Sequence, residues 1–297
     1  MGQDSNIEWT HHTFNPWMGC AKVSNGCKFC YAENLMDTRY QKVKWGPGGT
    51  RVIKKDWREP RKWNRDAGNA GERHRVFCAS LADVFEDRDE LIEPRGRLFR
   101  LIEETTNLDW LLLTKRPQNI MDMVPDSWQK CFPHNVWAGT SVEDQATADE
   151  RIPHLSRTPV AVRFLSVEPL LGPVALPCTC VSPPPIGLHH HPLCNINYID
   201  WVIVGGESGG KARPCNIEWI RSLVGQCRKS DTSVFVKQLG SKPVSTFAEW
   251  NDGYHINGRL MGDVMHWQLN DRKGGDMSEW PEDLRIRELP TYSGVTK

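Results

Sequence analysis

Cys20, Cys27 and Cys30 fall within eleven residues, in the run Gly19-Cys20-Ala21-Lys22-Val23-Ser24-Asn25-Gly26-Cys27-Lys28-Phe29-Cys30-Tyr31. Thiolates at this spacing are metal ligands, and the next cysteine, Cys78, is far away in sequence. A structural zinc site closes its shell with four protein ligands. A [4Fe–4S] cluster held by three cysteines leaves one iron open to another ligand. Open coordination is where chemistry occurs, so this loop is the first candidate site.

A second group of metal-type side chains lies in residues 177–198: Cys178, Cys180, His189, His190, His191 and Cys194. Its SPPP run does not accommodate regular structure. Cys178, Cys180 and Cys194 with one histidine, taken as His189, would make a Cys3His zinc knuckle with an unusually short first spacing. A histidine-rich loop without metal is the alternative. His11 and His12 also precede Cys20 closely enough to offer a further ligand, although a polar surface pair is the plainer reading.

Positioning the cysteines requires a scaffold, and the hydrophobic pattern supplies one. Short apolar runs recur at Ile7–Thr10, Arg75–Ala79, Asp109–Thr114, Val136–Gly139, Val162–Ser166, Trp201–Gly205 and Ser233–Lys237. They are continuous rather than alternating, as expected of strands buried on both faces of a parallel sheet. Helical stretches lie between them. Asp89–Thr105 carries apolar residues at helical spacing, with Pro94 and Gly96 as expected interruptions. Ile217–Lys229 places Ile217, Ile220, Leu223, Val224 and Cys227 on one face. Strands alternating with helices imply βαβ units. The expected fold is therefore α/β: a partial (β/α) barrel of about six to seven parallel strands, with a doubly wound open sheet as the second choice. The barrel is expected to span residues 1–240. Residues 241–297, with little strand character, would form a C-terminal extension, either capping the barrel mouth or wrapped outside.

Polar residues follow nearly every strand. Ser80 and Asp83 follow the second, and Lys115 and Arg116 the third. Thr140, Ser141 and Glu143 follow the fourth, Ser166 and Glu168 the fifth, Gly205, Gly206 and Glu207 the sixth, and Lys237 the seventh. Ligands of such sheets bind at the carboxyl ends of strands. The recurrence suggests a shared pocket that the cysteine loop would also face. Gly205 to Gly210 would let backbone amides approach an anion, or simply make a tight connection.

Bulk composition excludes little. Lys plus Arg equals Asp plus Glu at 37 each, so whole-chain charge does not point to nucleic acid or membrane. No apolar run is long enough to span a bilayer, and the start MGQDSNIEW lacks a signal-peptide pattern. Ten cysteines without a secretion signal suit reduced thiols, so a cytoplasmic location is expected. Locally the charge is uneven. Residues 39–75, read as a basic insertion, hold twelve Lys or Arg against four Asp or Glu, with Trp45, Trp57 and Trp63 among them. That mixture suits phosphate contacts and base stacking, or equally a solvated face with tryptophans packed inward.

The cysteine loop resembles that of the radical S-adenosylmethionine (SAM) enzymes, in which the loop follows the first strand of a partial barrel and an aromatic residue precedes the last cysteine, as Phe29 does here. The usual gap between the first two cysteines is three residues; here it is six. Across nearly the whole chain the sequence is similar to the phage-associated three-Cys-motif proteins, a family of undefined function. The shared phrases are IEWT, FNPWMGC, KVSNGCKFCYAE, FCASLADVF, LLLTKRP, VWAGTSVED, FLSVEPLLGP, DWVIVGGESGGKARP, FVKQLG, DRKGGD and WPEDLRIRELP.

The radical-SAM resemblance implies that Cys20, Cys27 and Cys30 bind three irons and that the fourth chelates SAM. Reductive cleavage would then give a 5′-deoxyadenosyl radical that abstracts hydrogen from substrate. It implies SAM contacts near the ends of the second, fourth and fifth strands, at Ser80, Asp83, Thr140, Ser141, Glu143, Ser166 and Glu168. The family's Gly-Gly-Glu signature normally follows the second strand, whereas Gly205-Gly206-Glu207 follows the sixth. The implied partners are an electron donor of flavodoxin or ferredoxin type and a nucleotide or nucleic-acid substrate. Two other readings stand beside this one: a nucleic-acid-binding protein with structural zinc and no turnover, and a redox protein whose cluster takes a fourth ligand such as Cys78.

Overall fold

The computed structural model describes residues 7–176, 199–246 and 258–290. Cys178, Cys180, His189 and Cys194 lie outside the described residues. Seven strands form the main sheet: β1 His12–Thr13, β2 His74–Cys78, β3 Leu108–Thr114, β4 Val136–Ser141, β5 Val162–Val167, β6 Trp201–Gly205 and β7 Ser233–Gln238. Their spatial order is their chain order, and the β1–β2, β2–β3, β3–β4, β5–β6 and β6–β7 pairs are parallel. A doubly wound sheet would reverse its order at a switch point. An order that follows the chain without such a reversal is barrel wiring. Because β1 and β7 are the two ends of the order, the barrel is partial.

The chain divides into two compact units. One runs to Thr140 and includes Arg157–Arg163; the other takes Ser141–Ser156 and continues from Phe164.

In the first unit the expected strand at Ile7–Thr10 does not form; β1 begins two residues later. The Thr10 hydroxyl donates to the Arg75 carbonyl at 2.9 Å and accepts from the Phe77 amide at 3.1 Å. A side chain thus occupies the positions a neighbouring strand would use, and the ladder starts only at His12. Trp9 is buried beside this junction, edge-on to Phe77.

The basic segment contains the crossover helix from β1 to β2, Glu59–Ala70, which buries Pro60, Trp63 and Ala67. Trp63 stacks on His12 at 4.3 Å, and Trp57 is buried under the Arg97 guanidinium. Both tryptophans pack inward rather than presenting a stacking platform. Helix Ile92–Glu104 runs without the interruptions expected at Pro94 and Gly96. Pro94 sits in the first turn, where no intrahelical N–H bond is lost. A side chain at Gly96 would meet only the tip of Arg100.

A histidine group lies where β1 and β2 begin. His12 Nε2 is 3.1 Å from His74 Nδ1, and His11 stacks on His74 with ring centroids 4.9 Å apart. His11 Nδ1 accepts from the Arg75 amide at 2.8 Å. Burial, then the positive charge of Arg75 and His74, lowers the His11 pKa from 6.5 to about 4, with Glu72 opposing. As pH falls from 6.5 towards 4, the unfolded chain binds a proton that the folded ring refuses. Stability should therefore be full above this window, decline through it and level off below it, damped by the ring's partial exposure. Urea midpoints across the window should fall more steeply for wild type than for His11→Gln; equal slopes would remove His11 as the cause.

In the second unit, helix Ile217–Lys229 has the expected bounds and buries Ile217, Ile220, Leu223, Val224 and Cys227, the five expected residues. The Asn216 side chain caps it by accepting from the Glu218 amide. The stretch after Ser241 does contain strands, contrary to the sequence reading. Pro243–Thr246, Gly258–Met261 and Val264–Trp267 join Cys215–Asn216 in a four-stranded sheet. The hairpin between the last two turns on Gly262-Asp263, where only Gly262 has positive φ, at 64°. That is the glycine-first two-residue turn of a hairpin. Further on, the Val236 amide donates to the Ile286 carbonyl and the Glu288 amide to the Val234 carbonyl. The C-terminal segment thus covers the edge of β7 that would otherwise expose unpaired backbone.

Candidate metal centre

The loop leaving β1 carries the three cysteines at the carboxyl end of that strand. Cys20, Cys27 and Cys30 are all free and half-buried. Burial, followed by the charge of Asp83, pushes the Cys20 thiol up to about 12. Burial also raises Cys30, with a further contribution from neighbouring Cys27. The Ser24 hydroxyl lies 3.9 Å from Cys27 Sγ.

Loops after β1 and β2 are tied together beneath the cysteines. Asn15 accepts from the Leu81 amide at 2.7 Å and donates to the Ser80 hydroxyl at 3.0 Å. The Gly19 amide donates to the Leu81 carbonyl, and the Tyr31 hydroxyl to the Ser80 carbonyl. Ser80 is therefore beside the cysteine loop, as a brace.

Four buried charged residues converge on the first cysteine. Asp83 accepts from the Thr114 hydroxyl at 2.7 Å, the Lys115 amide at 3.1 Å and the Arg116 guanidinium at 2.9 Å. Arg116 also donates to the Ala21 carbonyl at 2.9 Å and to Cys20 Sγ at 3.7 Å. Glu86 accepts from the Ala21 amide at 3.1 Å and from Arg51 through both oxygens, at 2.6 and 2.7 Å. With two carboxylates and two guanidiniums, the group is internally neutralised, the condition for burying charge at tolerable cost. Asp83, expected to meet cofactor, holds Arg116 through its carboxylate. The sequence reading passed over Glu86, Arg51 and Asn15. Glu86 stands three residues after Asp83 in the same strand-end loop, a legible hint. Arg51, distant in sequence, has none.

The other expected residues make the following contacts. The Thr140 hydroxyl, in the first unit, donates to the Thr114 carbonyl at 2.9 Å. In the second unit, the Ser141 carbonyl and both Glu143 oxygens accept from Arg151. The Ser166 carbonyl accepts from the Val142 amide, and Glu168 pairs with Lys237 at 3.0 Å. Glu207 holds Arg213 through both oxygens, at 2.8 and 2.7 Å. The glycines have packing reasons: a Cβ on Gly206 would stand 2.3 Å from the Leu239 carbonyl oxygen, and one on Gly205 2.8 Å from Glu168. His11 and His12 are engaged with Arg75, His74 and Trp63, as described for the fold.

Among the described residues, no set of three or more His, Cys, Asp or Glu side chains is gathered as a ready ligand cage. The donor chemistry nevertheless suits a thiophilic centre. Three reduced thiols share one half-buried loop, the first lies against a cation, and a bound metal supplies the positive charge that deprotonates buried thiols. A zinc site gains no support among the described residues.

The family described as "Protein of unknown function (DUF5131)" matches residues 4–269 of this chain. No curated protein matches it. Two solved structures of spore photoproduct lyase cysteine mutants are similar. The first, a Cys-to-Ser mutant, has a TM-score of 0.47 and 11% identity, covering 91% of this chain and 72% of that one. The second, a Cys-to-Ala mutant with dinucleoside spore photoproduct, has a TM-score of 0.41 and 11% identity, covering 86% of this chain and 67% of that one. Among the described residues, no helix is long and apolar enough to cross a membrane.

Proposed function

The chain belongs to the DUF5131 family, and from its own residues we propose that it is a radical-SAM-type enzyme with a [4Fe–4S] cluster on Cys20, Cys27 and Cys30. One observation carries this reading: three free, half-buried thiols on the loop leaving the first strand of a sequentially ordered parallel sheet. When bound, the cluster and SAM together would supply a 5′-deoxyadenosyl radical for hydrogen abstraction. The chain's residues do the rest. Glu86 fixes the Cys20–Ala21 peptide and Arg116 the Ala21–Lys22 peptide, and Asp83 orients Arg116. Asn15 and Tyr31 brace the loop against Ser80, which limits its freedom to open to water. An electron donor of flavodoxin or ferredoxin type and a reducing cytoplasm would meet the redox needs of such a centre.

We infer a nucleotide or nucleic acid as substrate from the distribution of positive charge. Within the basic segment, Arg51, Lys54, Arg58, Arg61 and Arg73 are paired with carboxylates. Lys28, Arg39, Lys42 and Lys44, on and just after the cysteine loop, are exposed. Exposed Tyr40 has Arg39 and Lys42 each 5.4 Å from its ring centre. Cations interleaved with an exposed aromatic ring suit phosphate and base.

Protein purified and reconstituted without oxygen should be brown and hold about four irons and four sulfides per chain. Alanine at all three cysteines should abolish that content. Reduction in the presence of SAM should release 5′-deoxyadenosine. A colourless wild type holding only zinc at these residues would sink the proposal.

A further inference from the structure

We propose that Arg116 is a positioning residue that raises the reduction potential of the metal centre on Cys20, with Glu86 as its counterpart on the other side of Ala21. The inference rests on the iron–sulfur reading above and concerns only residues of the first unit. Arg116 is buried, at 8% exposure, and its contacts diverge from one planar group. Nη1 reaches Asp83 at 2.9 Å and Cys20 Sγ at 3.7 Å, while Nη2 reaches the Ala21 carbonyl at 2.9 Å. On the other side of that residue, the Ala21 amide donates to Glu86 at 3.1 Å. Both polar groups of Ala21 are thereby fixed by buried charges, and the fixed residue is the one directly after the first ligand.

The chemistry follows from the placement. A guanidinium N–H directed at a cysteine sulfur withdraws electron density from it, and its positive charge favours the more negative, reduced state of a cluster; both effects raise the potential. With the peptide before Ala21 held at its N–H and the peptide after it held at its C=O, the backbone next to Cys20 cannot turn to lengthen that contact. Lysine would keep the charge but could not serve Asp83, the Ala21 carbonyl and Cys20 together, because it lacks the planar fork. Asp83 and Thr114 fix the direction of the fork, the support such a contact needs. Arg51 holds Glu86 in place by pairing with both of its oxygens.

Full-length protein, reconstituted anaerobically, would be compared as wild type, Arg116→Gln, Arg116→Lys and Glu86→Gln. Iron and sulfide content, the midpoint potential by dye-mediated titration and the electron paramagnetic resonance spectrum of the reduced cluster would be read for each. Arg116→Gln should lower the midpoint and shift the spectrum, and Arg116→Lys should recover part of the midpoint loss. Glu86→Gln, which removes a negative charge beside the same residue, should raise the midpoint above wild type, the opposite sign to Arg116→Gln. Should Arg116→Gln fail to hold iron, Arg116→Lys carries the test, with a midpoint below wild type expected. Normal iron with wild-type midpoints in both Arg116 variants would overturn the inference and leave the iron–sulfur reading standing. A wild type without iron would overturn both.

Discussion

Arg151→Met should destabilise the protein by about 3–5 kcal/mol, the range for removing one partner of a buried ion pair. Glu143 and Arg151 are 0% and 2% exposed, and both carboxylate oxygens lie 3.2 Å from Arg151 Nη1. The same nitrogen donates to the Ser141 carbonyl at 2.9 Å. Methionine matches the arginine stem in length but leaves Glu143 charged in a site closed to water. Replacing both residues should cost much less, because an apolar pair of similar volume carries no desolvation penalty. Guanidinium denaturation of Arg151→Met, Glu143→Leu and the double variant would give the coupling energy. A single variant losing under about 1 kcal/mol, or a double variant as unstable as the worse single, would show that the pair does not act as a buried couple. The result bears on function because Glu143 was expected to contact cofactor. If the carboxylate instead serves to close the end of β4, removing both charges should preserve the fold.

The scaffold was legible because its signal is local. Trp201–Gly205 is buried throughout, and its run of apolar residues indicates this without any partner. The same holds for helix Ile217–Lys229, whose five buried residues are its apolar stripe. Failures arose where a side chain or a distant residue decided the outcome. Thr10 displaces a strand by bonding to β2 through its hydroxyl, and nothing in IEWT distinguishes that from a strand residue. The hairpin at 258–267 was missed although Gly262-Asp263 carries the turn signal, because Gly258–Met261 is exposed throughout and only Met265 and Trp267 of the second strand are buried.

Legibility of the candidate site divides in the same way. The cysteines declare themselves by type and spacing. The charged group that grips Cys20 does not, because its members come from three separate stretches of chain. Arg51, one of many cations in the basic segment, is the partner of Glu86. Strand-end polarity singled out Asp83 and Arg116 but not their direction. Arg116 is directed at Cys20 and the Ala21 carbonyl, and Asp83 at Arg116.

Gly19→Ala should destabilise the protein by about 2–5 kcal/mol and, in the fraction that stays folded, reduce iron content. Gly19 has φ of +108°, a conformation that costs an L-residue about 1–2 kcal/mol. A Cβ there would also stand 2.5 Å from the Thr50 carbonyl oxygen and 2.9 Å from Val43. Backbone oxygen cannot rotate away, so the overpacking adds about 1–3 kcal/mol. The displaced atoms matter more than the energy. Gly19 is bonded through its amide to the Leu81 carbonyl and directly precedes Cys20. Its third close neighbour, Arg51 Cδ at 3.1 Å, belongs to the side chain that anchors Glu86. Pushing this turn outward therefore moves the first ligand and loosens its clamp together. Gly46 supplies the control: its φ of +103° carries similar strain, but a Cβ there meets nothing within 4 Å. Gly46→Ala should cost only the conformational part and keep its iron. Thermal unfolding and iron analysis of the two variants, prepared in parallel, separate strain from contact. Equal losses of stability with full iron in both would mean that Gly19 is needed only for its backbone angle, and that the close approach beneath Cys20 does not set the position of the loop.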